Sequence, residues 1–557
     1  MQRFVVYVLA VLSLTHALRA QGTLADYQRA QSLQAKARGL VVNTPGSITW
    51  IGDSDKFWYP RAVQGGTEFV LADAVAGSRQ AAFDQDKLAV GISKATGQTY
   101  KGLALPFAPA VGGRGGGTGR GGAAAEATAP LTFLDGEKSI QFGTGGSLYR
   151  CSLTSYECTK QGPIPQAAGG RGGRGGAPEV PDAEPDPEGP GGDPVDGLAY
   201  DYQPPAPQDG NEGIFGRAQG SCAPRPTGAA AVTGGGGRLA MAAQFPAPPA
   251  ADVCASFDGK WEAFIQNFNV FVKPVGDHPA FPLSFDGSEG NYYTLRTVSW
   301  SPDSKKLAAY HTRPGYDREV HYVESSPSDQ LQPKHTTIAY RKPGDALDIA
   351  YPALFDVAGK TEIEIDRALF PNPFSLSPPV WWKDCRGFTF EYNQRGHQAY
   401  TVIEVDANTG KTRPLIAEET KTFFYYNNLG PGLSAGRKYR HDVNDGKEII
   451  WASERDGWEH LYLYDGITGK VKNQITKGNW LVRNVDFVDD EKRQIWFEAG
   501  GMIPGQDPYF TQWYRINFDG AGLTRLTDAD GTHLLTFSKD RNYYVDTWQR
   551  VDLPPVA

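Results

Sequence analysis

This sequence has no long apolar run, few methionines and no excess of positive charge. The longest apolar run near either end, Phe4–Leu14, has 11 residues, whereas a helix needs roughly 20 to span a bilayer. The 63 acidic residues outnumber the 55 basic ones, which excludes a nucleic-acid binder that works by bulk positive charge. Only 3 methionines stand against 27 phenylalanines and 26 tyrosines, a balance that favours strands over helices. We therefore expect that the chain binds no nucleic acid and does not insert stably into a membrane.

The first 20 residues are typical of an export signal. Gln2 and Arg3 precede the apolar run, and Ala20 places a small residue before a cleavage point. This order of regions is that of a secretory signal peptide. The sequence predicts a signal peptide over residues 1–20 and a mature chain exported to the periplasm or the extracellular space. An uncleaved membrane anchor is the alternative interpretation.

Cysteine is also scarce, with five residues in the chain. Cys151 and Cys158 flank a tight turn between two predicted strands, which would bring their sulfurs within bonding distance. Cys222 and Cys254 bracket a Gly/Ala/Pro-rich stretch and form a second candidate pair, which leaves Cys385 as a buried free thiol. Five unpaired thiols are the alternative. Because no Cys-x-x-Cys or Cys/His spacing typical of zinc occurs, we expect no metal and no cofactor.

Short strands dominate the rest of the chain. One helix is predicted over Leu24–Ala37, and after it Val-, Ile-, Tyr- and Trp-rich runs alternate with Gly, Asp, Asn and Pro turns. That pattern indicates antiparallel β structure. Three segments interrupt it, at about 107–126, 163–198 and 223–252, and are rich in Gly, Pro or Ala. They contain too few large apolar residues to offset the entropy of ordering, so we expect flexible insertions there.

Two turn motifs recur along the strands. Ser-x-Asp turns follow Ala255, Trp300 and Phe537, and the sequence Asp-x-x-Thr-Gly-Lys occurs at Asp406 and Asp465. A repeat of roughly 40–50 residues that contains several strands is the signature of a β-propeller. About 400 residues remain outside the insertions, and at about 50 residues per blade they give eight blades, or seven. The fold class is therefore all-β, with two stacked β-sandwiches as the alternative.

Several long motifs resemble one peptidase family. The strongest is WASERDGWEHLYLYD at Trp451–Asp465, and others are ITKGNWLVRNVDF from Ile475, VSWSPDSKKLAAYHTRPG from Val298, YRKPGDALDIAYPALFDV from Tyr340 and WIGDSDKFWY from Trp50. Together they are similar to the N-terminal propeller of the dipeptidyl peptidase IV family of serine peptidases. The resemblance implies an eight-bladed propeller over residues 21–557 that restricts access to short peptides. In that family an α/β-hydrolase domain with a Ser-Asp-His triad follows the propeller.

No catalytic residue is expected within these 557 residues. A hydrolase needs a Gly-x-Ser-x-Gly elbow between a strand and a helix, and the one match, Gly432–Gly436, stands among strand and turn sequences. The sequence therefore predicts that the hydrolase domain is absent from the chain, and a hydrolase domain on another chain is a candidate partner.

One residue is carried over from the family as a candidate for substrate binding. Family members hold the ammonium group of the peptide with two glutamates in an Asp-Trp-x-Tyr-Glu-Glu motif. The equivalent interval here reads DGSEGNYYTLRTVSW from Asp286, and Glu289 is its only acidic residue after Asp286. The resemblance implies that Glu289 binds substrate, with an ordinary loop position as the alternative. The missing second glutamate puts dipeptidyl specificity in doubt.

Other polar residues have structural interpretations. We expect a local Arg–carboxylate pair in the turn Glu454–Gly457, with a role in substrate binding as the alternative. His460 is expected to have a structural role, and Trp381 and Trp382 to belong to the core. His311, His321 and His335 fall in one region without the spacing of a metal motif.

Three functions remain open from the sequence. The first is the propeller of an exported serine-type dipeptidyl peptidase, which gates the access of peptide substrates. The second is a stand-alone exported propeller that binds peptides without catalysis. The third is an enzyme with clustered acidic residues in the propeller funnel.

Overall fold

The computed structural model describes residues 23–37, 42–107, 130–164, 253–316, 318–424, 429 and 437–557. The predicted signal peptide, Cys222, the Gly432–Gly436 match and nearly all of the three insertions lie outside the described residues. The chain divides into two compact units. Unit one comprises Met1–Gln203 and Thr527–Ala557, and unit two comprises Pro204–Leu526.

The helix predicted from the sequence is present in unit one with the predicted bounds. Helix α1 spans Leu24–Ala37. Its start is a reciprocal cap, because the Asp26 carboxylate accepts a hydrogen bond from the Thr23 backbone at 2.9 Å and the Thr23 hydroxyl accepts one from the Asp26 backbone at 3.3 Å. Such a box satisfies backbone donors that the first helical turn leaves without partners.

A second helix was not predicted. Helix α2 spans Gln85–Thr96, begins at the N-cap Asp84 and ends at Gly97, whose φ is 76°. Leu88 and Ile92 are buried on one face of the helix, at the spacing of one helical turn. The signals were therefore present, but they occupy only three turns between strand-like segments.

The strands of unit one before the long insertion form two four-stranded antiparallel sheets. Sheet 1 consists of β1 (Thr49–Trp50), β2 (Lys56–Val63), β3 (Gly66–Asp73) and β4 (Ser78–Ala81). Sheet 2 consists of β5 (Thr132–Leu134), β6 (Ser139–Thr144), β7 (Ser147–Ser152) and β8 (Cys158–Pro163). In both sheets each strand pairs with its neighbours in sequence, as in a meander.

Unit two opens with two sheets and a ribbon. Sheet 3 consists of β9 (Cys254–Ala255), β10 (Trp261–Gln266), β11 (Asn269–Pro274) and β12 (Phe281–Pro282). Sheet 4 contains β13 (Tyr292–Tyr293), β14 (Ser299–Trp300) and β15 (Lys306–Arg313), then β18 (Ile349–Asp356) and β19 (Thr361–Ile363). Between β15 and β18 the chain forms a separate two-stranded ribbon of β16 (Glu319–Glu324) and β17 (Lys334–Ala339).

Three further sheets complete unit two. Sheet 5 consists of β20 (Pro373–Leu376), β21 (Val380–Trp381), β22 (Gly387–Gln394), β23 (Ala399–Asp406) and β24 (Thr412–Glu419). Sheet 6 consists of β25 (Arg440–Val443), β26 (Glu448–Ser453), β27 (His460–Asp465) and β28 (Val471–Gln474). Sheet 7 consists of β29 (Leu481–Asp489), β30 (Gln494–Gly500), β31 (Gln512–Asn517) and β32 (Thr524–Arg525).

The last sheet returns to unit one. Sheet 8 consists of β33 (Thr532–Phe537), β34 (Tyr544–Arg550) and β35 (Leu553–Val556). The Trp50 indole donates to the Thr536 carbonyl at 3.2 Å, and Lys539 pairs with Asp53 at 2.7 Å. The first and last sheets of the chain therefore lie against each other. In the described ranges the strands form eight sheets of three to five strands besides the ribbon, and the all-β prediction is confirmed.

The predicted turn repeats share one geometry. In the three Ser-x-Asp turns the serine hydroxyl donates to the aspartate carboxylate at 2.7 Å, at Ser256, Ser301 and Ser538. In both Asp-x-x-Thr-Gly-Lys turns the threonine hydroxyl donates to the aspartate at 2.9 Å. The same side-chain bonds recur in different sheets, so the repeated sequence encodes a repeated structural unit.

The core lies between the faces of neighbouring sheets. In unit two, sheets 5 and 6 enclose one cluster that includes Trp382, Tyr400 and Trp451. Gly446 is required at this contact, because it has a φ of 72° and a Cβ there would lie 2.0 Å from the Trp382 ring. Truncation of a buried tryptophan to alanine costs about 3–5 kcal/mol. The prediction that Trp381 and Trp382 belong to the core is confirmed.

The cysteines follow the prediction in part. Cys151 and Cys158 form a disulfide between β7 and β8. Cys254 is disulfide-bonded, while its predicted partner Cys222 lies outside the described residues. Cys385 is a free thiol, but the prediction that it is buried was wrong, because it is half-buried at a turn with a φ of 59°.

Candidate functional site

Glu289, the predicted substrate-binding residue, lies on the loop that connects sheet 3 to sheet 4. The backbones of Ser288 and Asn291 bond to each other at 2.6 and 3.0 Å and close a tight turn with Glu289 exposed at its tip. The Gly287 amide donates to the Asn269 side chain at 2.8 Å, which ties the loop to β11. The Glu289 carboxylate is therefore presented to solvent on a closed turn whose preceding residue is bonded to β11.

A cluster of polar side chains adjoins this turn. Asp286 lies 3.1 Å from Nδ1 of His311, and the Tyr293 hydroxyl donates to the other oxygen of Asp286 at 3.2 Å. The rings of Tyr293 and His311 stack with centroids 4.5 Å apart. The His311 side chain is only 8% exposed, whereas Asp286 is 51% exposed. Asp286 therefore connects a buried imidazole to the solvent-facing loop, and sequence reasoning did not single it out.

Negative charge accumulates around Asp286. Partial burial and the nearby Asp286 carboxylate raise the pKa of Glu362 on β19. Burial and the same carboxylate hold the pKa of Tyr293 far above its ordinary value. With Glu289 three residues along the chain, this end of sheet 4 presents several carboxylates. Carboxylates at such a surface suit the ammonium group of a ligand, because charge-assisted hydrogen bonds are the strong ones.

A second polar cluster lies inside unit two, on sheets 5 and 6. Arg440 donates to both oxygens of Asp442 at 2.7 and 2.9 Å and to the Thr389 hydroxyl at 3.1 Å. The Tyr400 hydroxyl donates to Glu391. Burial raises the pKa of Glu391, and the charge of Arg440 opposes that rise. Arg440, Glu391 and Thr389 are buried, and Asp442 is half-buried at the edge of this charge network.

Sequence reasoning missed this network because its strand looks amphipathic. In β22, Thr389, Glu391 and Asn393 alternate with large apolar residues, a pattern typical of a strand with one solvated face. The structure buries both faces. The alternation was the available signal, but it contains no information about a second sheet that covers the polar side.

The Glu454–Gly457 turn departs from its prediction. Arg455 does not pair with a carboxylate of its own turn, and instead donates to Glu418 on β24 at 2.6 Å. Lys438, which is 1% exposed, places its Nζ 3.4 Å from the same carboxylate. The prediction of a local pair was therefore wrong. The buried carboxylate of Glu418 on sheet 5 is a less hydrated partner for Arg455 than the exposed carboxylates of the turn. His460 accords with its prediction, since its ring nitrogens lie 3.0 Å from Thr476 and Gly478 oxygens.

Unit one contains an open cavity of about 690 Å³ beside β2, β3, β4 and α2. Its walls include Tyr59, Phe69 and Asp86, and the ion pair of Arg61 with Glu68 at 2.6 Å. Both signs of charge are present, and none of the candidate binding residues from the sequence lies there.

Metal sites and membrane-spanning helices were also sought among the described residues. Within them no group of three or more His, Cys, Asp or Glu side chains is placed to hold a metal ion. No helix in the described part of the chain combines the length and the apolar character that a membrane span requires.

Comparison with known proteins identifies the family. The family described as the dipeptidyl peptidase IV (DPP IV) N-terminal region matches residues 240–555, which is more than half of the chain. The chain belongs to this family. Its fold is accordingly the family's β-propeller, in agreement with the antiparallel sheets described above, and the number of eight blades stays a prediction.

Individual relatives are distant. The chain is 22% identical over 297 residues to a dipeptidyl peptidase 4 of Trichophyton equinum and 23% identical over 297 residues to one of Arthroderma otae. Each alignment covers 53% of this chain and 34% of the relative. The chain thus spans about a third of the length of the curated relatives it matches. A crystal structure of Porphyromonas gingivalis dipeptidyl peptidase 4 aligns with 94% of this chain and 58% of that chain, at 15% identity and a TM-score of 0.40.

Proposed function

We propose that this chain is the peptide-gating propeller of an exported serine-type dipeptidyl peptidase and acts in proteolysis. The observation that carries the proposal is the family match over residues 240–555. Relatives named dipeptidyl peptidase 4 support peptides as the ligand class. The Ser-Asp-His chemistry belongs to an α/β-hydrolase domain, on another chain or beyond these 557 residues, and no residue of this chain is proposed as catalytic.

Within this function, Glu289 binds the ammonium group of the peptide. Its exposure at the tip of a turn supports this role, and so does the half-exposed carboxylate of Asp286 three residues earlier on the same loop. A single glutamate makes fewer charge-assisted hydrogen bonds than a pair. We therefore expect weaker selection for a free N-terminus than a Glu pair would give.

A stand-alone exported propeller that binds peptides without catalysis is the second candidate. The absence of a glutamate pair favours this candidate, because Glu289 is the only glutamate in the interval where the family has two. Both candidates share export after cleavage of residues 1–20. They differ in whether a hydrolase domain acts on the peptide that the propeller admits.

The role of Glu289 can be tested on the mature chain with a fluorescent tripeptide that carries a free N-terminus and proline second. Glu289→Gln should weaken binding by about tenfold, since it removes a charge-assisted bond worth about 1.5–3 kcal/mol. Glu491→Gln is the matched control, because Glu491 is also exposed in a turn. Equal binding by all three proteins would overturn the assignment of Glu289.

Turnover separates the two candidates. The protein is purified from its source cells, its intact mass is measured, and it is assayed with a chromogenic Xaa-Pro dipeptide substrate. The peptidase proposal predicts hydrolysis together with a hydrolase domain in the same or an associated chain. Peptide binding without hydrolysis and without such a domain would favour the stand-alone propeller.

A further inference from the structure

The ribbon of β16 and β17 carries two histidines on its exposed face. The strands pair over their full length, and this register places His321 opposite Thr337. His335 lies two positions away on the facing strand, so the two histidines are diagonal neighbours on the same side of the ribbon. Both side chains are exposed. Their proximity is therefore set by the backbone pairing of the ribbon.

The two imidazoles meet through their nitrogens. Nδ1 of His321 lies 3.2 Å from Nε2 of His335. The ring planes differ by 10° and the centroids are 5.3 Å apart. Because the nitrogens are far closer than the centroids, the rings meet edge to edge rather than face to face. In the neutral pair one ring donates a hydrogen bond and the other accepts it, so two nitrogen lone pairs compete for one proton.

These histidines differ from the others in the described ranges. Three histidines lie within 3.1 Å of a carboxylate, namely His311 with Asp286, His441 with Asp490 and His533 with Asp546. For His321 and His335 the described part of the chain provides no ion pair, and the hydrogen bond of each ring is to the other ring. Their nitrogens are therefore available to an external cation at little cost.

We propose that His321 and His335 form a binding site for a borderline transition-metal cation such as Zn²⁺, Ni²⁺ or Cu²⁺. Imidazole nitrogen is a favoured ligand of these ions, whereas Mg²⁺ and Ca²⁺ prefer oxygen. Zinc binds imidazole at about 2.0–2.1 Å in a tetrahedral arrangement, which places two ligating nitrogens about 3.3 Å apart. The observed 3.2 Å is close to that separation, so coordination requires each ring to turn its inner nitrogen towards the metal but no change in the pairing of the strands.

Binding requires a shift of one proton within the pair. The ring that donates the hydrogen bond moves its proton from the inner to the outer nitrogen, and both inner lone pairs then coordinate the metal. The neutral pair releases no net proton in this step. Water completes the coordination shell, because the described residues offer no third His, Cys, Asp or Glu ligand. Metal binding here requires neither Glu289 nor a bound peptide.

The test uses the full mature chain and Zn²⁺ or Ni²⁺ alone, in competition with a chromogenic chelator. Wild-type protein should bind one ion per chain, and either His321→Gln or His335→Gln should lower the affinity by at least about tenfold. His278→Gln is the control, because His278 is exposed and distant in sequence. Thermal unfolding of each variant verifies the fold.

X-ray absorption of the zinc-loaded wild type provides a second readout. We expect two imidazole nitrogens at about 2.0–2.1 Å and oxygen in the remaining positions. Unchanged affinity in both variants, an equal loss in His278→Gln, or a coordination shell without two imidazoles would each overturn the proposal.

Discussion

The exposed acidic loop at Asp286 and the buried charge network at Glu391 contain the same kinds of side chains in opposite surroundings. In the loop, Asp286 is half-exposed and Glu289 stands in solvent. In the network, burial raises the pKa of Glu391, and Tyr400 and Arg440 hold its surroundings in place. Raised pKa values occur in both regions and therefore do not distinguish them. Access to solvent distinguishes the two regions.

The comparison predicts the largest loss of stability for the network. Arg440→Met should lower the free energy of unfolding by about 3–5 kcal/mol, because it leaves the Asp442 and Glu391 carboxylates without their buried cation. The measurement is the urea midpoint of the mature chain. Arg61→Ala, which breaks an ion pair exposed at 40% on both sides, should cost at most about 1 kcal/mol. Equal costs for the two variants would remove the distinction between the regions.

A smaller effect is expected at Glu498, a half-buried carboxylate on β30 whose hydrogen-bond donor among the described residues is the neutral Asn484. Burial raises the pKa of Glu498 from 4.5 to about 7, although Asn484 donates to it at 3.1 Å. Between pH 4.5 and pH 7 the folded state retains a proton on Glu498 that the unfolded state loses. The free energy of unfolding therefore falls as pH rises, and the stability that this proton contributes is gone above about pH 7.

Glu498→Gln should abolish this dependence. Relative to wild type, the variant should gain about 1–3 kcal/mol between pH 4.5 and pH 8, as measured by urea unfolding at each pH. Glu491→Gln should leave the pH profile unchanged because Glu491 is exposed. If the free energy of unfolding of Glu498→Gln differs from that of wild type by a constant amount over this pH range, the raised pKa of Glu498 is contradicted.

The smallest effect on stability is expected in the loop. Glu289→Gln should change the free energy of unfolding by less than about 0.5 kcal/mol, since an exposed turn residue without structural partners contributes little. The measurement is again the urea midpoint, taken alongside the peptide titration. A loss above 1 kcal/mol would assign Glu289 to the framework of the turn and would weaken its proposed role in binding.

The fold was more predictable than the site, for reasons visible in particular residues. The turns at Ser301 and Asp406 encode their geometry in bonds between residues two or three positions apart, so local sequence suffices. The contact of His321 with His335 depends on the register of two strands, and that of Arg440 with Thr389 spans 51 positions. Such contacts follow from tertiary packing. Glu289 was found only through a family motif.

The most direct measurement is calorimetric titration of the mature chain with a tripeptide, with and without an N-terminal acetyl group. Acetylation removes the ammonium charge and leaves the rest of the peptide intact. We predict that the free peptide binds about tenfold more tightly, the equivalent of about 1.4 kcal/mol, and that Glu289→Gln removes this preference. Equal affinity for the two peptides would contradict a propeller that selects peptides by their N-terminus.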